Sequence, residues 1–540
     1  MISNEVMAAR HLRAWADTLE AHPRLALTLV SLIYFAVAVT LAWIKTPWND
    51  ELFTVYIARR PTLHDVWDAL LTGAEQLPIL FYVITRGSIA LLGPTHLGIR
   101  LPEILGFWLM SISVYAFVRR VSSVAWALVA MVFPLITGAF YYAYEARPYA
   151  LVMGFSSLAL LFWQKAIRHK KRRLAAIGLG ASLAAALACH YYAVLTFAPL
   201  VTAEVVWCWR RRRFDGAVAT AFLFGLAPIP FMVPLIRAAK AYAATFWATP
   251  HWSDMYLYYP SMLCAAHQRW CHARQFQDPL RSPDVASAAF TLDLLLAAVP
   301  VFLAFVAVSR DGKEAGTDPA SGLSLPEWVA TTGFALTPAL AVILAKTVTH
   351  AYSDRYAMIA MVGMAPLLAL GMAKASRNRP AAAAVAVLIA LGLFLAGSAF
   401  DARRLRAQTR WYDFTLSFLR EERAGMPVVI TTPHIFFVLS ALQENRPSPV
   451  PIRYLFDRDL ALAYTGTDTV ELGLIAMRDW APLSMERFDA FAAHPQPVLL
   501  FGNSTLFSWV TQELQRQNWS VRPYRSKYNV DLFLAEPPLR

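Results

Sequence analysis

The feature that most constrains this chain is a succession of apolar runs, each close to the length that crosses a bilayer and nearly free of charge. The first, 25–45, carries no internal charge between Arg24 and Lys45, and about 20 such residues suffice to span the hydrocarbon core. Further runs lie at 99–118, 121–143, 148–164, 174–189, 191–209, 216–236, 288–309, 328–345, 356–373 and 380–400. Together they predict a polytopic α-helical membrane protein with about eleven transmembrane helices. Composition excludes the soluble alternative: 57% of residues are hydrophobic, 16% are charged and the mean hydropathy is +0.43, outside the range of ordinary soluble domains.

A net charge of +13 would suit nucleic acid if the basic residues formed one polar domain. They instead form short runs between apolar stretches, which is the signature of topology, so no nucleic-acid partner is expected. Arg10, Arg13 and Arg24 place residues 1–24 in the cytoplasm, and residues after Lys45 emerge on the far side. The first run is too long for a signal-peptide core, and no lipidation motif is evident. The expected location is therefore the cell inner (plasma) membrane, with several passes.

The segment 77–92 decides the orientation of everything that follows. It is apolar but short, begins at Pro78 and contains Arg86. If it does not cross, the basic runs 119–120, 165–173, 210–213 and 374–379 all face the cytoplasm; if it crosses, 165–173 and 210–213 face outward. The segment is therefore expected to lie along the outer interface as an amphipathic helix, inside a long outer loop, 46–98. A second outer loop covers 237–287, and the membrane module as a whole spans 25–400. Beyond residue 400 charges become frequent, and β-rich pieces appear at 427–431, 497–501 and 529–534. These predict a small α/β domain over 401–540, extracytoplasmic because eleven spans starting inside end outside.

Polar residues gather on the outer face in four short segments. Asp50 and Glu51 follow the first span; Glu145, Arg147 and Tyr149 occupy the turn YYAYEARPYAL; His190, Tyr191 and Tyr192 form the next outer turn; Tyr352, Asp354, Arg355 and Tyr356 belong to HAYSDRY. Each segment alone has a plain structural explanation: an acidic helix cap, an ion pair ahead of a proline, or an interfacial aromatic anchor. Their convergence at one membrane depth favours function, because ionisable groups there are costly. The set suits sugar transfer from a lipid-linked phosphate. A sugar leaving phosphate passes through an oxocarbenium-like state, which calls for a carboxylate to take the acceptor's proton and cations to hold the departing phosphate. Asp50 fits the base, and Arg147 and Arg355 match a phosphate with the bidentate fork that lysine lacks.

Rival chemistry is scarce. There is no Walker loop, His-Glu-x-x-His helix or nucleophile elbow, and Gly178-Leu179-Gly180 lies within a span. Cys264, His267, Cys271 and His272 have no standard zinc spacing, and whether Cys264 and Cys271 pair is left open.

The stretches WNDELFTVYIARR, LPILFYVITRGSIALLGPTHLGIRLPEILG, YYAYEARPYAL, CHYYAVL and YSDRYAMIAMVGMAPLLALG together resemble the GT-C superfamily of membrane glycosyltransferases. The resemblance is to bacterial relatives of the protein O-mannosyltransferases and the lipid A aminoarabinose transferase. It implies an inverting glycosyltransferase with juxtamembrane outer helices that uses a polyprenyl-phosphate-linked sugar donor. The acid after the first span would be the base, which lands on Asp50, with Glu51 completing the pair. The acceptor stays open among lipid A, lipopolysaccharide, other envelope glycans and protein, and so does a divalent cation. The competing class is a transporter or flippase, but paired halves with broken midplane helices are not evident.

Overall fold

The computed structural model describes residues 17–168, 172–243, 245–263, 322–502 and 505–538. The run 288–309 and the residues Cys264, His267, Cys271 and His272 lie outside them. The protein is a polytopic α-helical membrane protein with a small C-terminal α/β region. Among the described residues, eight helices are long and apolar enough to cross a membrane, and ten if each of two bent pairs counts as one span. The bends fall where the sequence supplies breakers. Val124–Ile136 and Gly138–Tyr144 meet at 77°, after Pro134 and at Thr137, whose hydroxyl accepts from the Ala139 N–H. Leu325–Ala335 and Thr337–Thr349 meet at 51°, just before Pro338, whose missing N–H and ring bulk interrupt the helical ladder.

The chain forms two compact units, each described by itself. The first comprises the described residues within 1–43, 90–232 and 250–404. Its central crossing depends on glycine: a Cβ at Gly106 would come within 2.7 Å of the Leu151 backbone nitrogen, and one at Gly154 would fall on the Gly106 carbonyl. Helices Leu101–Val118 and Tyr149–Arg168 therefore pack backbone to backbone, as small residues allow where lipid supplies no hydrophobic drive. At the basic end of the second helix, the buried Glu327 accepts from Arg168 and, at 2.9 Å, from Gln164. A buried carboxylate of this kind is tolerated because it is paired.

The second unit comprises 44–89, 233–249 and 405–540. Its sheet joins β1 (Val428–Ile430), β2 (Ile452–Phe456), β3 (Met485–Arg487), β4 (Val498–Phe501), β5 (Ser520–Lys527) and β6 (Val530–Glu536) in the order β3-β2-β1-β4-β6-β5. The first four are parallel, and β6 runs antiparallel to β4 and β5. Tyr528 and Asn529, both at positive φ, make the two-residue turn between β5 and β6, a geometry that matches strand twist. Helices cover the parallel part, and Trp509, Leu514, Phe488, Phe491 and Trp519 pack with Val429, Leu455 and Leu500 in its core.

One boundary moves far from the sequence reading, and one segment takes the short helix expected of it. The last apolar run, 380–400, is the first half of one helix, Pro380–Glu422, because the charged residues that follow include strong helix formers and no glycine or proline. The segment 77–92 forms the helix Ile79–Leu92, 14 residues long, which at the α-helical rise is about 21 Å, short of the roughly 30 Å hydrocarbon core. Arg86 has a local use: its guanidinium donates to the carbonyls of Ala58 at 3.2 Å, Pro61 at 2.6 Å and Arg60, the orphan acceptors at and beyond the end of helix Asn49–Ala58.

Candidate active site

In the first unit, three turns far apart in sequence meet. The 3-10 turn Gly138–Tyr144 runs into Glu145, whose carbonyl accepts the Arg147 N–H at 2.7 Å before helix Tyr149–Arg168 begins. The second turn starts at His190, which ends helix Arg172–Cys189; its Nδ1 accepts the Tyr192 N–H at 3.1 Å. The third follows His350, held at φ 54°, and leads into the 3-10 turn Asp354–Ala360. The second and third are tied directly, since the Tyr192 hydroxyl donates to the Ala351 carbonyl at 2.6 Å and meets the Thr349 hydroxyl at 2.6 Å.

The rings form one wall. Centroids lie 5.4 Å apart for Tyr149 and His190, 5.3 Å for His190 and Tyr356, and 6.4 Å for Tyr149 and Tyr356, while Tyr192 stacks on Tyr356 at 4.8 Å. The Arg355 guanidinium lies 5.8 Å from the Tyr149 centroid, within cation–π range. Glu145, Arg147, Tyr149, His190 and Tyr352 are buried, and Asp354, Arg355 and Tyr356 are half-buried. Burial first, then the nearby charges of Arg147 and Arg355, pushes His190 down to about 3. A neutral imidazole with Nδ1 accepting leaves Nε2 as a donor. Two guanidiniums and an imidazole N–H converging on one aromatic wall can hold an anionic group of phosphate type.

Asp354 has a partner the sequence did not suggest: the Ser261 hydroxyl donates to its Oδ2 at 2.7 Å. Asp354 and Tyr352 both act electrostatically on the buried Tyr258, which shares the helix Asp254–Leu263 with Ser261. The Tyr191 ring is half-buried, and its hydroxyl lacks a hydrogen-bond partner among the described residues. Two buried charged residues, Arg100 and Glu103, were also missed. The Arg100 guanidinium donates to the Ala42 carbonyl at 2.6 Å, and Glu103 lies close enough for its charge to act on Cys189, the neighbour of His190. Charges opening an apolar helix were the signal for both.

Asp50 and Glu51 belong to the second unit, in the first turn of helix Asn49–Ala58. Glu51 is fully buried and pairs with Lys45 at 2.6 Å while accepting the Trp48 N–H at 3.3 Å. Asp50 is half-buried, and the Asn49 amide donates to its Oδ1 at 3.2 Å. The adjacent acids thus have different surroundings: Glu51 is neutralised by an ammonium, and Asp50 is half-buried beside the Asn49 amide. Among the described residues, no three His, Cys, Asp or Glu side chains group as a metal site.

Residues 76–236 match the family of dolichyl-phosphate-mannose-protein mannosyltransferases. No curated protein sequence matches the chain. Among solved structures, ArnT from Cupriavidus metallidurans in the apo state is 13% identical, with 95% of this chain and 100% of that one covered and a TM-score of 0.45. The same protein bound to undecaprenyl phosphate is 14% identical over 95% and 99%, with a TM-score of 0.43. An oligosaccharyltransferase of Archaeoglobus fulgidus is 11% identical over 95% and 74%, also at 0.43. Over residues 76–236 the chain is thus similar to the dolichyl-phosphate-mannose-protein mannosyltransferases, membrane glycosyltransferases of the GT-C type that its motifs resemble.

Proposed function

We propose that this protein is an inverting glycosyltransferase that moves a hexosyl or pentosyl group from a polyprenyl-phosphate donor to a cell-envelope acceptor on the non-cytoplasmic face of the inner membrane. The observation that carries the proposal is the meeting of the three turns on one aromatic wall, with Arg147 and Arg355 both acting on His190. The mannosyltransferase match, which covers the first two turns, supports it. In this reading Arg147 and Arg355 hold the donor phosphate, His190 donates Nε2–H to it, and Tyr149, Tyr191, Tyr352, Tyr356, Glu145 and Asp354 shape the surrounding pocket. Asp50 takes the acceptor's proton as the acceptor oxygen bonds to the anomeric carbon and the bond from that carbon to the phosphate oxygen breaks; the electron pair leaves with the polyprenyl phosphate. Glu51, held by Lys45, fixes the start of the Asp50 helix.

The topology that accompanies this reading has residues 1–24 in the cytoplasm, the catalytic module over 25–400 and an extracytoplasmic domain over 401–540. The test is a deletion strain complemented with the wild-type chain or with Asp50→Asn, followed by mass analysis of envelope glycolipids and glycoproteins. A discrete sugar mass should disappear on deletion, return with the wild type and stay absent with Asp50→Asn. If deletion removes no sugar mass and alters a solute flux instead, the chain is a transporter.

A further inference from the structure

Within the second unit, helix Asn49–Ala58 lies against helix Pro433–Gln443 of the C-terminal α/β region. Phe53 meets Phe437 edge-on at 5.0 Å, and Tyr56 stacks on the same ring at 5.5 Å. Phe53 also lies against Gly473, where a Cβ would come within 2.7 Å of its Cζ. At the far ends, the Tyr56 hydroxyl donates to the Glu444 Oε2 at 3.1 Å, and Arg59 pairs with the same carboxylate at 3.4 Å. The C-terminal end of one helix therefore meets the C-terminal end of the other, so the two run in the same direction. One turn before Phe53 stands Asp50, and one turn before Phe437 stands His434. Residues three apart share a helix face, so this packing brings His434 alongside Asp50, and each is within electrostatic reach of the other.

The position of His434 in the sheet is equally specific. It stands four residues past the end of β1, and β1 lies between β2 and β4. The chain leaves β1 toward β2 on one side, while β4 closes on the other, which makes the carboxyl end of β1 a topological switch point, where open α/β sheets place functional groups. Thr431, Thr432 and Gly502 pack tightly there. His434 is exposed in the first turn of a helix whose next five residues, Ile435 to Leu439, are all buried and apolar.

We infer that His434 is a positioning residue for Asp50, orienting the carboxylate toward the acceptor oxygen, and that the C-terminal α/β region serves transfer by holding the Asp50 helix in place. The inference rests on the reading of Asp50 as the base. In the transfer step His434 stays unmodified: the proton passes from the acceptor oxygen to the Asp50 carboxylate.

The experiment uses membranes of the deletion strain carrying the full chain as wild type, His434→Ala, His434→Gln, Phe437→Ala or Asp50→Asn, each normalised to its level in the membrane. Donor lipid extracted from the deletion strain is titrated in, and the initial rate of sugar gain on the endogenous acceptor is read. His434→Ala should lower the rate at saturating donor by about ten- to a hundredfold, the range that misplacement of a reacting group gives. Its half-saturating donor level should not change. His434→Gln should recover part of the rate, added imidazole should restore part of it to His434→Ala, and imidazole should do nothing for Phe437→Ala. A wild-type rate in His434→Ala with Asp50→Asn inactive overturns the inference and leaves the transferase reading standing, as does a loss that neither imidazole nor glutamine relieves. An active Asp50→Asn instead removes the base assignment itself.

Discussion

At the scale of single residues, the difference between Arg147 and Arg355 on one side and an ordinary interfacial cation on the other is geometry. Both act on a buried imidazole, and Arg355 is braced over Tyr149, so a lysine at either place keeps the charge and loses the planar fork. Arg355→Lys is expected to lower transfer by about tenfold or more through weaker donor binding, and Arg355→Ala by about a hundredfold, read as donor titrations on membranes of equal protein content. Equal rates for arginine and lysine would remove the bidentate role. His190 makes a separate prediction. Its folded-state value lies near 3 against an ordinary 6.5, so the fold favours the neutral ring. The stability this gives is intact above 6.5 and is lost as pH falls from 6.5 toward 3. Thermal unfolding of the detergent-solubilised protein should therefore fall less steeply with acidification in His190→Asn than in the wild type; parallel slopes would contradict it.

At the scale of elements, the site turns are placed by the contacts behind them. Helix Tyr149–Arg168 carries Tyr149 at its start and reaches its neighbour through Gly154, whose missing side chain admits the Gly106 carbonyl. Gly154→Val must push the helices apart, at a cost of about 1–3 kcal/mol or more for overpacking. The expected result is a lower melting temperature in detergent, together with lost transfer; an unchanged melting temperature would show that the crossing is looser than described. Legibility in the sequence also divides by element. Apolar runs announced the spans because a bilayer demands length and lack of charge, and β1, β4 and β6 were visible as short apolar pieces between prolines and polar turns. By contrast, β2 follows its own turn as IRYLF, β3 is three residues with two charges, and β5, SVRPYRSK, carries a proline and three cations; no period-two pattern survives in these. Ser261 and Tyr258 escaped because nothing local marks a loop helix as the partner of a turn ninety residues on. His434 escaped because its significance comes from a helix almost four hundred residues earlier.

At the scale of the whole molecule, the account needs both the donor-side turns and Asp50 on the non-cytoplasmic face, an orientation that rests on the distribution of arginine and lysine. Reporter fusions test it: alkaline phosphatase joined after residue 538 should be active, and after residue 120 inactive, with the reverse for a cytoplasmic fluorescent reporter. The opposite pattern would mean that 77–92 crosses the membrane and that the three turns around Arg147, His190 and Arg355 face the cytoplasm while Asp50 stays outside. The central claim is the chemistry, and its most direct measurement is made on the purified full-length chain in proteoliposomes containing donor lipid and acceptor from the deletion strain. Wild-type protein should release polyprenyl monophosphate in step with sugar transfer, with the anomeric configuration inverted, and Asp50→Asn should release none above background. Release without inversion, or equal release by Asp50→Asn, would contradict the account.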